Sequence, residues 1–423
     1  MKKILLLTDK YFPRPYANAI CAQEIIRELN KDGYIIDILA YKDFDGNPSK
    51  FEGNNIYYIE PDLRTKLFYY ADTYKNTQKG KIVYWIANLL SKVKGTILLP
   101  WQPFFSFLFP QRIYKKICLL QKQNNYDAII AIMKPLDTNL AACRFKSEYR
   151  DLPYIVYCVD TLKKAFIEKY IGKGFADGFM WEKKILKHCD AFFYMQSRRD
   201  DYSLPRYDSY RDKLIEADMP RFNVKDLSKI QKYDFEEEGE HWVYAGSIGG
   251  VHYNPEKLIE IFKQISNNPK RILHLYTRGT ASDRIAARAK KEGINIRVHG
   301  YVDLATLERI MATADVIVSL KTSNQISAKI FECISYGKPI VHFSGHVDDP
   351  NIYYLKKYYL CKIIKTYKAN ISKEILELEN FLENVKGRKL DMEILKQIYR
   401  KNTPAYSANA ILEQIKTAKG KIK

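Results

Sequence analysis

The stretch SLKTSNQISAKIFECISYGKPIVHF, residues 319–343, decides how this chain folds. It begins at the end of an apolar run, Val316–Leu320, passes through a polar loop, and carries a helical pattern over Ser327–Tyr336. A glycine and a proline then stop the helix, and a second apolar run follows at Ile340–Phe343. This order predicts a β-strand, a helix and a second, parallel β-strand.

Three side chains at the start of this helix suit a phosphorylated ligand. A helix N-terminus offers amides without intrahelical partners and a partial positive charge, which together favour an anion. Ser327 can cap the helix, Lys329 adds a full positive charge, and Glu332 can accept hydrogen bonds from the vicinal hydroxyls of a ribose. The combination predicts a nucleotide-sugar site. The alternative is an ordinary strand–helix–strand unit with a capped helix and a Lys–Glu pair.

The pattern S-x-K-x-x-E-x-x-x-x-G-K-P over residues 327–339 resembles the donor-binding signature of GT-B glycosyltransferases, in the broad glycosyltransferase family 4 group. The resemblance implies an α/β protein with two Rossmann-like, doubly wound domains that face a cleft. It also implies a C-terminal helix that crosses back to the first domain, and sugar transfer with retention of configuration. The nucleotide-sugar is then a substrate, and no cofactor is expected. Because no D-x-D motif follows a clear strand, we predict transfer without a metal ion.

The composition fits a two-domain protein of a reducing compartment. At 423 residues the chain is too long for one ordinary core. Its seven cysteines are scattered without C-x-x-C pairs, which favours buried thiols over disulfides or a zinc site. The apolar run near the N-terminus is too short for a signal peptide, and no apolar stretch is long enough to span a bilayer. We therefore expect a cytoplasmic protein.

The formal net charge of +20 suggests an anionic partner. Between Asp72 and Asp127 there is no acidic residue, and basic residues flank aromatic runs there. This pattern favours contact of residues 73–126 with the inner face of the cell membrane. The alternative is a pair of amphipathic helices packed on the domain. Nucleic acid is not expected, because no helix-turn-helix, zinc-finger or RNP-type pattern is present.

Two series of alternating β-like runs and helical patterns divide the chain. We predict a Rossmann-like acceptor-binding domain over 1–214 and a charged, proline-containing linker over 215–240. A Rossmann-like nucleotide-sugar-binding domain would follow over 241–395. The segment 396–423 would then pack back on the first domain as a helix.

Further candidates for the donor site follow strands of the second half. Gly246 and Ser247 lie in a turn, and Ser247 stands where relatives carry an arginine that grips the pyrophosphate. Arg278, after the next strand, could supply that missing charge or could be an ordinary surface arginine. The resemblance places His299 and Tyr301 in the loop that holds the nucleobase.

The resemblance also defines a sugar pocket. Many relatives carry an E-x7-E pattern, and Asn324 stands here in place of its first glutamate. Asn324, Gln325 and Ile326 would line the pocket, mainly through backbone amides. Positive charge on Lys329 and Arg278 would stabilise the leaving diphosphate, since that is where negative charge develops.

The first half offers fewer candidates. Tyr16, Ala17 and Asn18 replace a glycine-rich loop that in relatives faces donor and acceptor. Asp160, at the end of an apolar run, is a catalytic candidate, with a helix cap as the alternative. The expected acceptor is a saccharide or a lipid-linked molecule of bacterial surface polysaccharide biosynthesis. Two other functions remain open: another nucleotide-sugar enzyme such as an epimerase, and a non-catalytic membrane-surface protein with a decayed GT-B fold.

Overall fold

The computed structural model describes residues 2–11, 17–43, 46–61, 63–93, 108–133, 135–159, 179–250, 252–266, 270–277, 280–367 and 370–420. The chain forms two compact units and contributes to the first of them twice. The first unit consists of Met1–Pro220 and Lys401–Lys423, and the second consists of Arg221–Arg400.

Apolar strands form the centre of the first unit. They are β1 (Lys3–Lys10), β2 (Ile35–Tyr41), β3 (Lys50–Phe51), β4 (Asn54–Ile59), β5 (Ala128–Ile132), β6 (Tyr154–Cys158), β7 (Ala191–Met195) and β8 (Leu214–Ala217). Among the described residues they make one sheet in the order β3-β4-β2-β1-β5-β6-β7-β8, parallel except for the β3–β4 pair. The sequence of β6, YIVYC, is buried throughout, as expected of a parallel strand covered on both faces.

Helices accompany this sheet. They are α1 (Ala17–Lys31), α2 (Leu63–Thr73), α3 (Gln78–Val93), α4 (Leu108–Asn124), α5 (Leu136–Glu148), α6 (Phe179–His188) and α7 (Arg199–Tyr202). Ile113 and Ile117 of α4, Phe145 of α5 and Ile185 of α6 join the strands in one buried apolar cluster.

The second unit contains a sheet whose described strands are all parallel. Its strands are β9 (Glu240–Ala245), β10 (Arg271–Tyr276), β11 (Ile296–His299), β12 (Val316–Lys321), β13 (Ile340–Ser344) and β14 (Cys361–Lys365). Their order is β11-β10-β9-β12-β13-β14. The sheet therefore grows from β9 first in one direction and then in the other.

The helices of this unit connect the strands. They are α8 (Glu256–Ile265), α9 (Thr280–Glu292), α10 (Leu304–Thr313), α11 (Lys329–Ile334), α12 (Asn351–Leu355), α13 (Ile371–Val385) and α14 (Met392–Ile398). Trp242, Phe262 and Leu378 lie in its core cluster and are fully enclosed. The two parallel α/β sheets confirm the predicted fold class.

The last helix, α15 (Pro404–Gly420), belongs to the first unit. Ser407 Oγ of this helix lies 2.8 Å from Tyr157 Oη of β6. Lys419 Nζ donates a 2.7 Å hydrogen bond to the Asp127 carboxylate. The predicted return of the terminal helix to the first domain is therefore present.

The unit boundaries differ from the predicted domain boundaries. The segment predicted as a linker, 215–240, begins inside β8, because Leu214–Ala217 pairs in register with β7. The second unit then begins at Arg221, before its first strand. Pairing with β7 thus makes Leu214–Ala217 a strand, although the composition of the segment 215–240 indicated a linker.

Candidate active site

The strand order of the second unit creates a crevice at one edge of its sheet. β9 has β10 on one side and β12 on the other, so the chain leaves β9 and β12 in opposite lateral directions. Open parallel sheets bind ligands at the carboxyl ends of strands where the order reverses in this way. The loops after β9 and β12 contain Gly246, Ser247 and residues 322–328, which include most of the predicted donor-binding residues.

Lys329 extends from the start of α11 to the end of β9. Its Nζ donates a 3.3 Å hydrogen bond to the carbonyl oxygen of Ala245, and the side chain is exposed. A Cβ on Gly246 would lie 2.3 Å from this Nζ, and the φ of Gly246 is +157°. The Lys329 side chain is flexible and could move away from a Cβ, but residues with a Cβ rarely adopt this φ, so the backbone conformation favours a glycine here. The arrangement leaves the positive charge accessible at the crevice.

Glu332 already has a partner in the protein. Arg221, the first residue of the second unit, donates from Nη2 to Glu332 Oε1. Arg221 is mostly buried, with 15% of its side chain exposed, whereas 48% of the Glu332 side chain is exposed. The guanidinium can therefore fix the carboxylate while leaving it accessible to a ligand. Sequence reasoning missed Arg221, because the pair is formed between residues far apart in the chain.

The start of α11 differs from the prediction. The helix begins at Lys329, and the N-cap residue is Ala328 without a side-chain cap, so the predicted cap by Ser327 is wrong. Ser327 is buried, and its amide donates a 2.8 Å hydrogen bond to Asn351 Oδ1. Within the described residues, the amides of Ala328 and Lys329 donate to no protein acceptor. Two amides beside the lysine thus remain available to an anion.

A buried polar relay holds this loop in place. Ser319 Oγ lies 3.0 Å from His342 Nδ1, and His342 Nε2 lies 2.9 Å from Asp349 Oδ2. Asp349 Oδ1 accepts hydrogen bonds from the backbone amide and the side-chain amide of Asn351. Asn351 then binds the amide of Ser327. The relay therefore connects β12 and β13 to the loop that precedes α11.

The relay contains a serine, a histidine and an aspartate, but its geometry is structural. Ser319 lies inside β12 with 8% exposure, and His342 is fully buried, so no substrate can reach the hydroxyl. Burial raises the pKa of Asp349, but hydrogen bonds and charge from His342 and the Asn351 amide lower it more, and the net pKa lies below the usual range. The aspartate consequently stays ionised as an acceptor.

The residues predicted to line a sugar pocket, Asn324, Gln325 and Ile326, lie beside this relay. Asn324 is buried with 8% exposure, and the carbonyl oxygen of Gln325 accepts a 3.4 Å hydrogen bond from Asn351 Nδ2. Ile326 is half-buried. Ser247, on the facing loop, is exposed, and its carbonyl oxygen accepts a hydrogen bond from Tyr244 Oη.

The predicted nucleobase loop begins at the end of a histidine ladder. His241 Nδ1 lies 3.0 Å from His274 Nε2, and His274 Nδ1 lies 3.0 Å from His299 Nε2. The rings of His299 and Tyr276 stack at 4.4 Å, and Tyr301 beyond them is 71% exposed. His299 is thus occupied inside the protein, whereas Tyr301 presents an accessible ring at the strand end.

Burial governs the ionisation of the ladder. It lowers the pKa of His274 to about 3, and the neighbouring His299 and His241 contribute to the lowering. Burial also lowers the pKa of His241 and of His299. The hydrogen bonds require one protonated and one unprotonated nitrogen at each junction, so neutral rings suit the ladder.

The candidates of the first unit are less completely described. Asn18 is buried, and its Nδ2 donates a 3.3 Å hydrogen bond to the Met133 carbonyl oxygen after β5. Ala17 begins α1. Three candidates lie outside the described residues: Tyr16, Asp160 and, in the second unit, Arg278.

Buried carboxylates that sequence reasoning missed lie in the first unit. Asp137, in the first turn of α5 directly after β5, is 2% exposed. Asp218, which follows β8, is fully buried, and its Oδ1 accepts a 2.9 Å hydrogen bond from the Met219 amide. Their positions shortly after two strands of the same sheet were the available signal in the sequence.

Comparison with known proteins agrees with this geometry. Residues 240–351 match the family model described as Glycosyl transferases group 1. The matched segment contains the crevice residues from Gly246 to Glu332. The chain is a glycosyltransferase with the GT-B fold. A comparison with curated protein sequences gave no match.

Solved GT-B structures resemble this glycosyltransferase over nearly its whole length. Sucrose-phosphate synthase from Thermosynechococcus elongatus matches with a TM-score of 0.64 at 12% identity, covering 99% of this chain and 100% of that one. α,α-Trehalose 6-phosphate synthase from Burkholderia multivorans gives 0.63 at 10% identity and 100% coverage of both chains. The apo form of the lipopolysaccharide outer core galactosyltransferase WaaB gives 0.60 at 11% identity and 99% coverage of both. At these identities the likeness shows the fold.

Removing the hydrogen bond between Asn351 and the loop that precedes α11 should destabilise the protein. Asn351→Ala leaves the buried Ser327 amide without its acceptor and removes one of the donors to Asp349, which should lower the free energy of unfolding by about 1–3 kcal/mol. Urea denaturation measures this loss. Asn384→Ala is the matched control, because Asn384 is exposed and only bonds within its own helix. Equal stability of the two variants would contradict the assigned role of the relay.

Acidification should destabilise the second unit through the histidine ladder. The pKa of His274 is lower in the folded chain than in the unfolded one, so the unfolded chain binds more protons between about pH 6.5 and about pH 3. As the pH is lowered through this range, the free energy of unfolding should therefore decrease, by up to about 1.4 kcal/mol per pH unit for this group. Urea denaturation at several pH values should show a shallower slope for His274→Phe. The same slope in both proteins would refute the prediction.

Proposed function

We propose that this glycosyltransferase moves a sugar from a nucleotide-sugar donor to a saccharide or lipid-linked acceptor, with retention of configuration and without a metal ion. The observation that carries the proposal is the exposed ammonium of Lys329 over Gly246, at the strand-order reversal of the second unit. Membership of glycosyltransferase family 4 is part of the proposal, and it is supported by the S-x-K-x-x-E signature at Ser327–Glu332.

The chemistry requires stabilisation of a leaving diphosphate. As the bond from the sugar carbon to the phosphate oxygen breaks, its electron pair moves to that oxygen and negative charge develops there. Lys329 and the adjacent amides of Ala328 and Lys329 supply fixed positive potential at this place. The acceptor hydroxyl forms the new bond to the sugar carbon and loses its proton, for which the departing phosphate is a suitable base. This route needs no cofactor.

Glu332 would orient the donor. Its carboxylate is held by Arg221 and remains half exposed, so it can accept hydrogen bonds from both ribose hydroxyls. Tyr301, exposed after β11, offers a ring for stacking on the nucleobase. Asn324, Gln325 and Ile326 would then border the sugar.

The acceptor side of the proposal rests on the first unit. Helices α2 and α3 lie against each other, with Phe68 and Tyr84 in edge-to-face contact at 5.9 Å. On α3 one stripe of apolar side chains is exposed at helical spacing, and its members are Ile82, Trp85, Ile86, Leu89 and Leu90. A second exposed stripe consists of Leu63 and Tyr70 on α2 and of Tyr74, which directly follows this helix. We call these two stripes together the hairpin face.

The hairpin face suits an anionic lipid surface. Exposed lysines lie beside it at Lys66, Lys75, Lys79 and Lys81, whereas Asp72 is the acidic residue of the two helices. Exposed aromatic and apolar side chains flanked by lysines are the features of an element that lies in a membrane interface. In the part of the chain that the structure describes, no helix is long and apolar enough to cross a bilayer.

These features support a peripheral position on the cytoplasmic face of the cell membrane. An acceptor carried by a lipid would be presented to the enzyme there. The biological role that we propose is in the assembly of a bacterial surface polysaccharide. It is supported by the structural likeness to a galactosyltransferase of the lipopolysaccharide outer core.

Removing the Lys329 ammonium should abolish most activity with little loss of stability. Lys329→Met should lower turnover about 100-fold or more, because the positive charge acts on the transition state, while the melting temperature stays close to that of the wild type. Donor hydrolysis or transfer with UDP-, GDP- and ADP-sugars measures activity, with and without a chelator. Lys356→Met, an exposed lysine of the same unit, is the control. Wild-type protein that binds none of these donors would instead favour the non-catalytic scaffold.

Removing apolar residues of the hairpin face should weaken membrane binding. The double variant Ile82→Ser/Leu89→Ser should bind vesicles of phosphatidylglycerol and phosphatidylcholine roughly tenfold more weakly, because less apolar surface leaves water. Vesicle flotation and the fluorescence of the exposed Trp85 measure binding. Leu376→Ser/Ile394→Ser removes exposed side chains from the second unit and is the matched control. Equal binding by both double variants, or no binding by the wild type, would exclude the hairpin face as the membrane contact.

A further inference from the structure

Lys321 is a buried cation at the edge of the crevice. It is the last residue of β12, and 3% of it is exposed. Its Nζ lies 3.4 Å from Tyr253 Oη and 4.5 Å from the centre of the Tyr253 ring. Among the described residues, no Asp or Glu oxygen lies within ion-pair distance of this ammonium. A buried positive charge without a carboxylate is costly, so its presence requires a reason.

The surroundings of Lys321 are the two loops that border the strand-order reversal. The Thr322 amide donates a 2.9 Å hydrogen bond to the His252 carbonyl oxygen. Thr322 Oγ1 accepts a 3.2 Å hydrogen bond from the Asn254 amide. Tyr253 is therefore held between two anchored residues, directly over the end of β12. These bonds join the loop after β9 to the loop after β12 at the position of the lysine.

Lys329 occupies the other border of the same crevice. Its ammonium lies at the end of β9, which is the neighbour of β12 in the sheet. The turn after β9 carries Ser247 and supplies no cation of its own. A diphosphate bound by Lys329 alone would be only partly neutralised, since it carries more than one negative charge.

We propose that Lys321 is the second cation of the donor site and binds the diphosphate of the nucleotide. This inference rests on the proposed function. It names a residue that provides the positive charge missing from the turn after β9, which contains Gly246 and Ser247. The 3.4 Å bond to Tyr253 is long and its acceptor is an uncharged hydroxyl, so a phosphate oxygen would be a stronger partner for the ammonium. Tyr253 would then retain only its ring contact with the lysine stem.

The test compares diphosphate binding by Lys321→Met and by a matched control. Methionine keeps the length of the side chain and removes its charge. Lys290→Met makes the same change on α9, where the lysine is exposed in the last turn of the helix. Isothermal titration with UDP, GDP and ADP, and with the corresponding nucleosides, should show about tenfold weaker diphosphate binding by Lys321→Met. Nucleoside binding by this variant, and all binding by Lys290→Met, should stay within about twofold of the wild type.

Each outcome decides the question. Unchanged diphosphate affinity in Lys321→Met would overturn this inference and leave the proposed function intact. An equal loss for diphosphate and nucleoside would also overturn it, because general damage to the site would explain the result. Wild-type protein that binds none of the diphosphates would overturn both proposals.

A second pair of variants guards against misfolding. Lys321→Arg keeps the charge and should restore part of the affinity lost in Lys321→Met. Tyr253→Phe removes the hydroxyl that competes for the ammonium, so diphosphate affinity should be equal to or higher than that of the wild type. Weaker diphosphate binding by Tyr253→Phe, with an unchanged melting temperature, would contradict the proposed exchange of partners.

Discussion

The reversal of strand order between β9 and β12 is the constraint on which the proposed donor site depends. Parallel pairing fixes Val316 opposite Trp242, so both strands end at the same edge of the sheet with their loops side by side. Everything at the crevice follows from this register: Lys329 can reach the carbonyl of Ala245, and Tyr253 can cover Lys321. A shift of one residue would turn the side chains to the opposite face and separate these groups.

Polar groups in the interior then make the edge rigid. The relay from Ser319 through His342 and Asp349 to Asn351 places a buried, charged carboxylate in the loop after β13, which is tolerable because its acceptor positions are satisfied by donors. The relay ends on the Ser327 amide and so fixes the backbone just before Lys329. Charge at the crevice is therefore preorganised by bonds that are themselves remote from any ligand. Preorganisation of this kind is the main source of electrostatic catalysis.

The excess positive charge of the chain serves two different surfaces in this picture. Lysines beside the hairpin face surround exposed apolar side chains, which suits a lipid interface. Lys321 instead contacts a tyrosine, and the exposed Lys329 contacts a backbone carbonyl, both at the ends of neighbouring strands. The first group would steer the protein to a membrane, and the second would hold one small anion. Net charge alone could not separate these roles.

The sequence by itself determined the two-sheet α/β architecture, the position of α11 and the candidate Lys329 and Glu332, because apolar periodicity and helix stop signals are local properties. Only the tertiary structure decided the partners. Arg221 on Glu332, Asn351 on Ser327 and Tyr253 on Lys321 join residues that are distant in the chain, and no local pattern marks them. For the same reason the exposure of the α3 stripe was undecided in the sequence: an amphipathic helix has the same spacing whether its apolar face is covered or open. Sheet register and packing choose the neighbours of each side chain, and those neighbours decide which of its charges and apolar surfaces remain accessible.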